Sequence, residues 1–157
     1  MEDTELSYLA GMVDADGSVI LRLDKTRYRL RLYVYNTYQP LMDWLEENFG
    51  GRAVALPQRI DHHKVEYQWY LDSGPAVDLM KRIVPHMIVK RERAELAIEA
   101  WESRAPTARA LRHLPVDPAT MELRREYVRR FKELNKTGRR NPVTTTNEEG
   151  LINAAYE

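Results

Sequence analysis

At 157 residues, the chain has room for one domain with a real core, and its lack of cysteine excludes a disulfide scaffold or a Cys-based zinc site. Lys plus Arg and Asp plus Glu number 24 each, so the formal net charge is zero and a uniformly basic surface is excluded. No signal peptide or membrane-length apolar run is visible, which predicts a protein that is neither secreted nor held in a membrane.

The first predicted element is a helix over Leu9–Gly17 that packs apolar and small residues on one side and ends in two carboxylates. A helix C-terminus carries partial negative charge, so Asp14 and Asp16 are each disfavoured there by roughly 0.3–1 kcal/mol. A bound cation would offset that cost. Gly11 costs about 1 kcal/mol relative to Ala in mid-helix, which is tolerated most easily where another backbone approaches closely.

After Gly17 the pattern changes to alternation. Val19, Leu21 and Leu23 point one way, and Ser18, Ile20, Arg22 and Asp24 the other. Lys25-Thr26-Arg27 connects to a second strand, in which Tyr28, Leu30, Leu32 and Val34 alternate with Arg29, Arg31, Tyr33 and Tyr35. The polar face could simply be solvated. Its four Arg and two Tyr, with one acid among them, suit phosphates and base edges better than water.

Pro40 starts a helix carrying Leu41, Met42, Trp44, Leu45 and Phe49, and Gly50-Gly51 stops it. Two more strands are predicted around Arg52–Arg59 and Val65–Leu71. In the second, Tyr67, Trp69 and Leu71 form the core face and leave Glu66, Gln68 and Tyr70 exposed. The loop between them holds Asp61-His62-His63, but no third His or Cys lies nearby and adjacent strand side chains diverge, so a metal site there is disfavoured. Ser73-Gly74-Pro75 opens a helix that Pro85 ends, and Ala94, Ala97, Ile98 and Trp101 share a face of the next. Ser103–Val116 reads as a connecting loop. Asp117 caps and Pro118 begins a further helix with a Tyr127, Phe131, Leu134 stripe. Asn135–Thr145 is polar and basic, and Thr146-Asn147-Glu148-Glu149 is a capping box for a short last helix. Charge is uneven: Arg22, Lys25, Arg27, Arg29 and Arg31 face only Asp24 in their segment, and Arg129, Arg130, Lys132, Lys136, Arg139 and Arg140 face only Glu133. A neutral chain with basic zones meets the needs of a DNA-facing surface.

With Leu6-Ser7-Tyr8 before it and Ser18-Val19-Ile20 after it, Leu9–Gly17 resembles the signature of the LAGLIDADG homing endonucleases, departing from it only at Met12 and Val13. The resemblance implies an α+β fold of the αββαββα kind, a four-stranded antiparallel sheet with helices on one face and an open face toward the ligand. It covers residues 5–103 of a single domain spanning 1–157, with C-terminal helices and a basic loop over 117–157. One copy of the motif implies a homodimer, with Leu9, Ala10, Gly11, Val13 and Asp14 at the subunit contact. It implies Asp16 as metal ligand, helped by the Ala15 carbonyl, with Mg²⁺ as cofactor and Mn²⁺ or Ca²⁺ able to substitute for binding. Asn36 takes the place of a polar amide, often Gln in the family, that orients water, and Lys90 that of a lysine that stabilises phosphate charge or activates water. Asp14 fits a structural role better.

The implied partner is double-stranded DNA, with no membrane and no small-molecule substrate, in the cytoplasm or nucleoid of a bacterium or phage-infected cell, or in an organelle. The DNA-facing set is Ser18, Ile20, Arg22, Asp24, Arg27, Arg29, Arg31, Tyr33, Tyr35, Arg59, Glu66, Gln68, Tyr70, Lys136, Thr137, Arg139 and Arg140. Strands of about 8 residues cover ~26 Å, or about 8 base pairs, so two sheets with flanking loops would cover roughly 20. The activity implied is a staggered double-strand cut in a pseudo-palindromic site. The alternatives are a non-cleaving RNA maturase or DNA-binding regulator on the same fold, and a protein-binding sheet face, to which an Arg-rich surface is poorly suited.

Overall fold

Alternation of apolar and polar residues becomes a four-stranded antiparallel sheet in the computed structural model, which describes residues 3–57, 64–104 and 115–137. The elements run α1 (Asp3–Ala15), β1 (Gly17–Asp24), β2 (Arg27–Asn36), α2 (Gln39–Phe49), β3 (Arg52–Ala55), β4 (Tyr67–Asp72), α3 (Ser73–Ile83), a 3₁₀ turn (Val84–His86), α4 (Arg91–Glu102) and α5 (Pro118–Thr137). The αββαββα order is therefore present over α1 to α3, followed by the 3₁₀ turn, α4 and α5. Strands lie in the order β1-β2-β4-β3, leaving β1 and β3 at the edges.

One face of the sheet makes the core. Val19 and Leu21 of β1, Tyr28, Leu30, Leu32 and Val34 of β2, and Trp69 and Leu71 of β4 are buried in one cluster with residues from all five helices. The period of two in the strands decides this: each apolar set lands on the helix side, and its polar alternates land on the other. Trp69 is fully buried, and its indole N–H donates to the Gly50 carbonyl at 2.8 Å, so no polar group is stranded by the burial. Gly50 (φ 71) and Gly51 (φ 89) end α2 in the left-handed region, as the Gly-Gly pair predicts. A side chain at Gly51 would also meet the Tyr70 carbonyl at 2.5 Å.

Several boundaries differ from expectation. β3 is described only as far as Ala55, with one further ladder bond from the Leu56 N–H to the Glu66 carbonyl at 2.8 Å, rather than running to Arg59. Asp117 does cap α5, accepting from the Thr120 N–H at 2.9 Å, but the helix continues through Thr137 where a basic loop was expected from Asn135. Arg59, Asp61-His62-His63, most of the 103–116 connection, Arg139, Arg140 and the 146–149 capping box lie outside the described residues. No helix among the described residues is long and apolar enough to cross a membrane.

The glycines of the Leu9–Gly17 stretch divide differently from the sequence reading. Gly11 is exposed, and a Cβ there would meet nothing within 4 Å, so no close approach within the chain requires it. Gly17 is the tight position: a Cβ there would sit 2.6 Å from the Val13 Cα and 2.8 Å from the Tyr33 carbonyl oxygen. Gly17→Ala is expected to destabilise the chain by about 1–3 kcal/mol, because backbone on both sides must move. Gly11→Ala should leave the fold unharmed or up to about 1 kcal/mol more stable. Urea unfolding of the two variants side by side checks the contrast.

Candidate nucleic-acid interface and metal centre

The end of α1 meets the start of α4, and each helix carries the charge that its own dipole disfavours. Asp14 lies in the last turn of α1, which holds no basic residue, and Lys90 is the N-cap of α4. The Asp14 carboxylate accepts the backbone N–H groups of Ile88 (2.6 Å), Val89 (3.1 Å) and Lys90 (2.9 Å). In return, the Lys90 ammonium donates to the carbonyls of Val13 (2.8 Å), Ala15 (3.3 Å) and Gly17 (2.8 Å). The acid from the negative pole is held by the free amides before α4, and the cation from the positive pole by the Val13 and Ala15 carbonyls at the end of α1 and the Gly17 carbonyl that opens β1. The cation that the sequence calls for at this helix end is thus supplied in part by the chain itself.

These contacts set the local proton affinities. Partial burial pushes the Asp14 carboxyl up, but the Ile88, Lys90 and Val89 amides together with the Lys90 charge outweigh it and hold Asp14 below the usual carboxylate value. Burial pushes Lys90 down, as does repulsion from Arg93, while Asp14 and Asp16 pull the other way without restoring it. Asp16, two residues beyond Asp14, is exposed, and among the described residues its carboxylate accepts no hydrogen bond and forms no ion pair. The exposed Asp16 carboxylate and the Ala15 carbonyl are hard oxygen donors of the kind that Mg²⁺ and Ca²⁺ take, so the residues present fit such an ion. Among the described residues no three His, Cys, Asp or Glu gather within one chain to hold a metal.

The motif residues expected at a subunit contact separate sharply. Leu9, Ala10 and Val13 are completely buried in this chain's own core, so they present nothing to a partner, and Asp14 is occupied by the 88–90 backbone. Only Gly11 of that set is exposed. The exposed apolar surface nearby is instead Tyr8 on α1 and the Ile88-Val89 pair, 86% and 70% exposed, whose amides Asp14 grips. Asn36 shares the core-side alternation of Val34, and its Oδ1 accepts the Tyr38 N–H at 2.9 Å, closing the turn into α2. That oxygen is held by the fold, which narrows what the amide can offer to a water.

The other face of the sheet is open, and strand register fixes its rows. Arg22 lies opposite Arg29, Ile20 opposite Arg31 and Ser18 opposite Tyr33, while Asp24 faces Arg27 across the hairpin end. Arg31 pairs onward with Asp72, Tyr33 with Tyr70 and Tyr35 with Gln68. Arg52 lies opposite Tyr70 from the far strand. Most of the predicted DNA-facing set is therefore brought together on one surface, whereas Lys136 stands apart on α5 and Glu66 precedes β4.

Sequence reasoning missed Asp72 and Arg52, although continuing the β4 alternation past Gln68 and Tyr70 reaches Asp72. The omission matters, since Asp72 binds Arg31 through two bonds of 2.6 and 2.8 Å, and the Arg31 guanidinium also lies 4.2 Å from the Tyr70 ring centre. Arg31 is thus held in place, its pKa raised by the Asp72 hydrogen bonds, while Arg22 and Arg29 face each other exposed. Like charges directly opposite on a sheet are destabilising unless something anionic comes between them. Tyr33 and Tyr35 meet edge to face with centroids 4.9 Å apart, giving the same surface an aromatic strip.

No family model matches the chain, and no curated protein matches it in sequence. Solved structures do. The homing endonuclease I-CvuI, solved with the I-CreI target and 2 mM Mg with the DNA not cleaved, matches over 99% of this chain and 98% of its own, at a TM-score of 0.64 and 17% identity. The archaeal intron-encoded homing endonuclease I-Vdi141I, complexed with DNA, covers 90% of both chains at a TM-score of 0.65 and 14% identity. The chain has the LAGLIDADG homing endonuclease fold. I-SmaMI, bound to an uncleaved DNA target with calcium, matches at a TM-score of 0.53 and 16% identity, and this chain spans 48% of it.

In this LAGLIDADG fold the Asp14 contacts make a test. A carboxyl whose folded pKa is depressed contributes stability above its unfolded value, and that contribution is lost as pH falls through the folded value. Asp14→Asn is expected to cost about 1–3 kcal/mol at neutral pH, since three amides keep only a neutral acceptor. The gap from wild type should shrink once the pH drops below about 3.9. Urea titrations at neutral and acid pH read both numbers.

Proposed function

We propose that the chain is one half of a homodimeric, site-specific endonuclease that cuts double-stranded DNA by metal-dependent phosphodiester hydrolysis. The observation that carries this reading is the division of labour between the two acids of the motif. Asp14 is consumed by the fold, whereas Asp16 stands exposed and unpartnered at the end of α1, where Gly17 leads into an open, Arg- and Tyr-bearing sheet face. That I-CvuI and I-Vdi141I were solved in complex with DNA supports the DNA-binding part of the reading.

On this reading Arg22 and Arg29 take phosphates, which relieves their mutual repulsion, and Arg31, Tyr33, Tyr35, Gln68 and Tyr70 address base edges in the major groove. A bound hard divalent cation would neutralise phosphate charge and make a better nucleophile of water. Asp16 and the Ala15 carbonyl would hold it. Lys90 keeps a positive charge beside Asp16 and fixes the carbonyls around it, so the acid is presented in one geometry. One chain brings one such carboxylate, and a second copy completes the pair. The dimer contact would run along Tyr8 and Gly11 and over Ile88 and Val89, rather than through Leu9, Ala10 and Val13. The non-cleaving alternative is disfavoured because a pure binder has no use for an exposed Asp16 carboxylate beside a half-buried lysine.

The deciding experiment offers the protein a randomised or host-derived DNA library with Mg²⁺ and looks for a discrete staggered cut. Asp16→Asn is expected to abolish the cut and leave binding largely intact. Undiminished cutting would overturn the metal assignment, and binding without cutting by the wild type would turn the reading to a regulator. For the dimer, Ile88→Glu is expected to move the sedimentation of the DNA-free protein from dimer to monomer without loss of fold, because Ile88 is exposed in the single chain.

A further inference from the structure

A second concentration of positive charge lies away from the open sheet face, on α5. Arg125, Arg129, Lys132 and Lys136 follow at steps of four, three and four residues, so they fall within one ~60° wedge of the helix and span ~16 Å along it. Between this wedge and β1 runs a groove of about 310 Å³ with Leu23 and Val128 in its lining. Glu133 is the carboxylate in that lining, and it accepts from Lys136 at 2.7 Å. Arg125 and Arg129 lean on Glu122 and Glu126 a turn back, in exposed pairs that are individually worth little and readily exchanged for a phosphate. Lys132 has no acidic partner among the described residues.

The groove is placed beside the sheet rather than at random. β1 is an edge strand, and α5 is tied to the tip of the β1–β2 hairpin by the Arg124 guanidinium, which donates to the Thr26 carbonyl and lies 6.0 Å from the Tyr28 ring centre. Lys25 and Arg27, exposed at that tip, link the two basic surfaces. One DNA strand carries a charge every 3.4 Å of helix axis, so ~16 Å of α5 faces the equivalent of four or five phosphates. An apolar floor under a cationic rim suits sugar beneath phosphate. The rim is too charged for the dry centre of a protein interface.

We propose that this groove holds the phosphate backbone of duplex DNA along the free edge of β1, in addition to the contacts of the open face. The proposal rests on the DNA-binding reading above. Because the chain has no cysteine, Lys132→Cys gives a single attachment point for iron–EDTA, and a mixed-sequence duplex with calcium serves as probe. The tethered iron is expected to cut the duplex, whereas the same label on Lys81→Cys, exposed on α3, should not. The combined Arg125→Gln, Arg129→Gln, Lys132→Gln variant should lower the slope of log K against log salt by ~2–3, about 0.9 for each phosphate no longer neutralised. Lys81→Gln should leave the slope unchanged. An unaltered slope in the triple variant, or scission no stronger from Lys132→Cys than from Lys81→Cys, overturns the groove while leaving the sheet face standing. A wild-type protein that binds duplex without salt dependence overturns the DNA reading itself.

Discussion

Everything around the candidate site hangs on the exchange between Asp14 and Lys90. An acid at a helix C-terminus and a lysine at a helix N-terminus are each unfavourable alone, by roughly 0.3–1 kcal/mol at an exposed end. Placed against each other they become six hydrogen bonds, with three amides on the carboxylate and three carbonyls on the ammonium. Charge-assisted bonds of this kind are stronger than neutral ones. The exchange also has a direction. It locks the end of α1 to the loop before α4, so the next residues, Ala15 to Gly17, leave the helix along one path into β1. Gly17 fits that path only because it lacks a side chain, its neighbours being the Val13 and Tyr33 backbones.

Much of this was legible in the sequence, and the illegible part has a physical reason. Strand parity and Gly-stopped helices are local properties, so the hairpin rows, the α2 stop at Gly50-Gly51 and the Asp117 cap could be read directly. What failed was pairing at a distance. Asp72 meets Arg31 from 41 residues away, and Lys90 meets Val13 from 77. No periodicity within a segment reports such partners. The burial of α1 needed the structure for another reason: the motif holds apolar and small residues together, and by itself does not say whether Leu9 and Val13 or Gly11 and Ala15 face this chain's core. The core took Leu6, Leu9, Ala10 and Val13, and that leaves Gly11 and Ala15 outside.

A formal charge of zero and the proposed DNA-facing surface are reconciled by where the acids go. On the sheet, Asp72 is spent on Arg31, and on α5 Glu122 and Glu126 are spent on neighbouring arginines. Acids placed this way hold cations in position rather than cancelling the surface. An arginine pinned by a carboxylate and stacked on a tyrosine has fewer rotamers to lose when it meets a base, and an arginine opposed by another gains most when a phosphate arrives. Arg31 belongs to the first kind and the Arg22–Arg29 pair to the second, so one face combines elements suited to sequence reading with elements suited to backbone grip.

The isolation of Asp16 bears on why such a chain would work in pairs. A lone exposed carboxylate with one backbone carbonyl is a weak ligand set for an ion that takes six or more oxygens. Its neighbour Lys90 already draws on the Ala15 carbonyl at 3.3 Å, so a single chain competes with its own cation. A second copy would change both terms, adding a carboxylate to the ion and setting two acids close enough to repel unless a cation lies between them. On the proposed reading, dimerisation and metal binding are therefore coupled: each makes the other more favourable, and a monomer would be a poor metal site as well as half a binding surface. The exposed Ile88-Val89 pair sits on the same loop whose amides hold Asp14, so the surface that would bring two copies together is held by the contact that leaves Asp16 free.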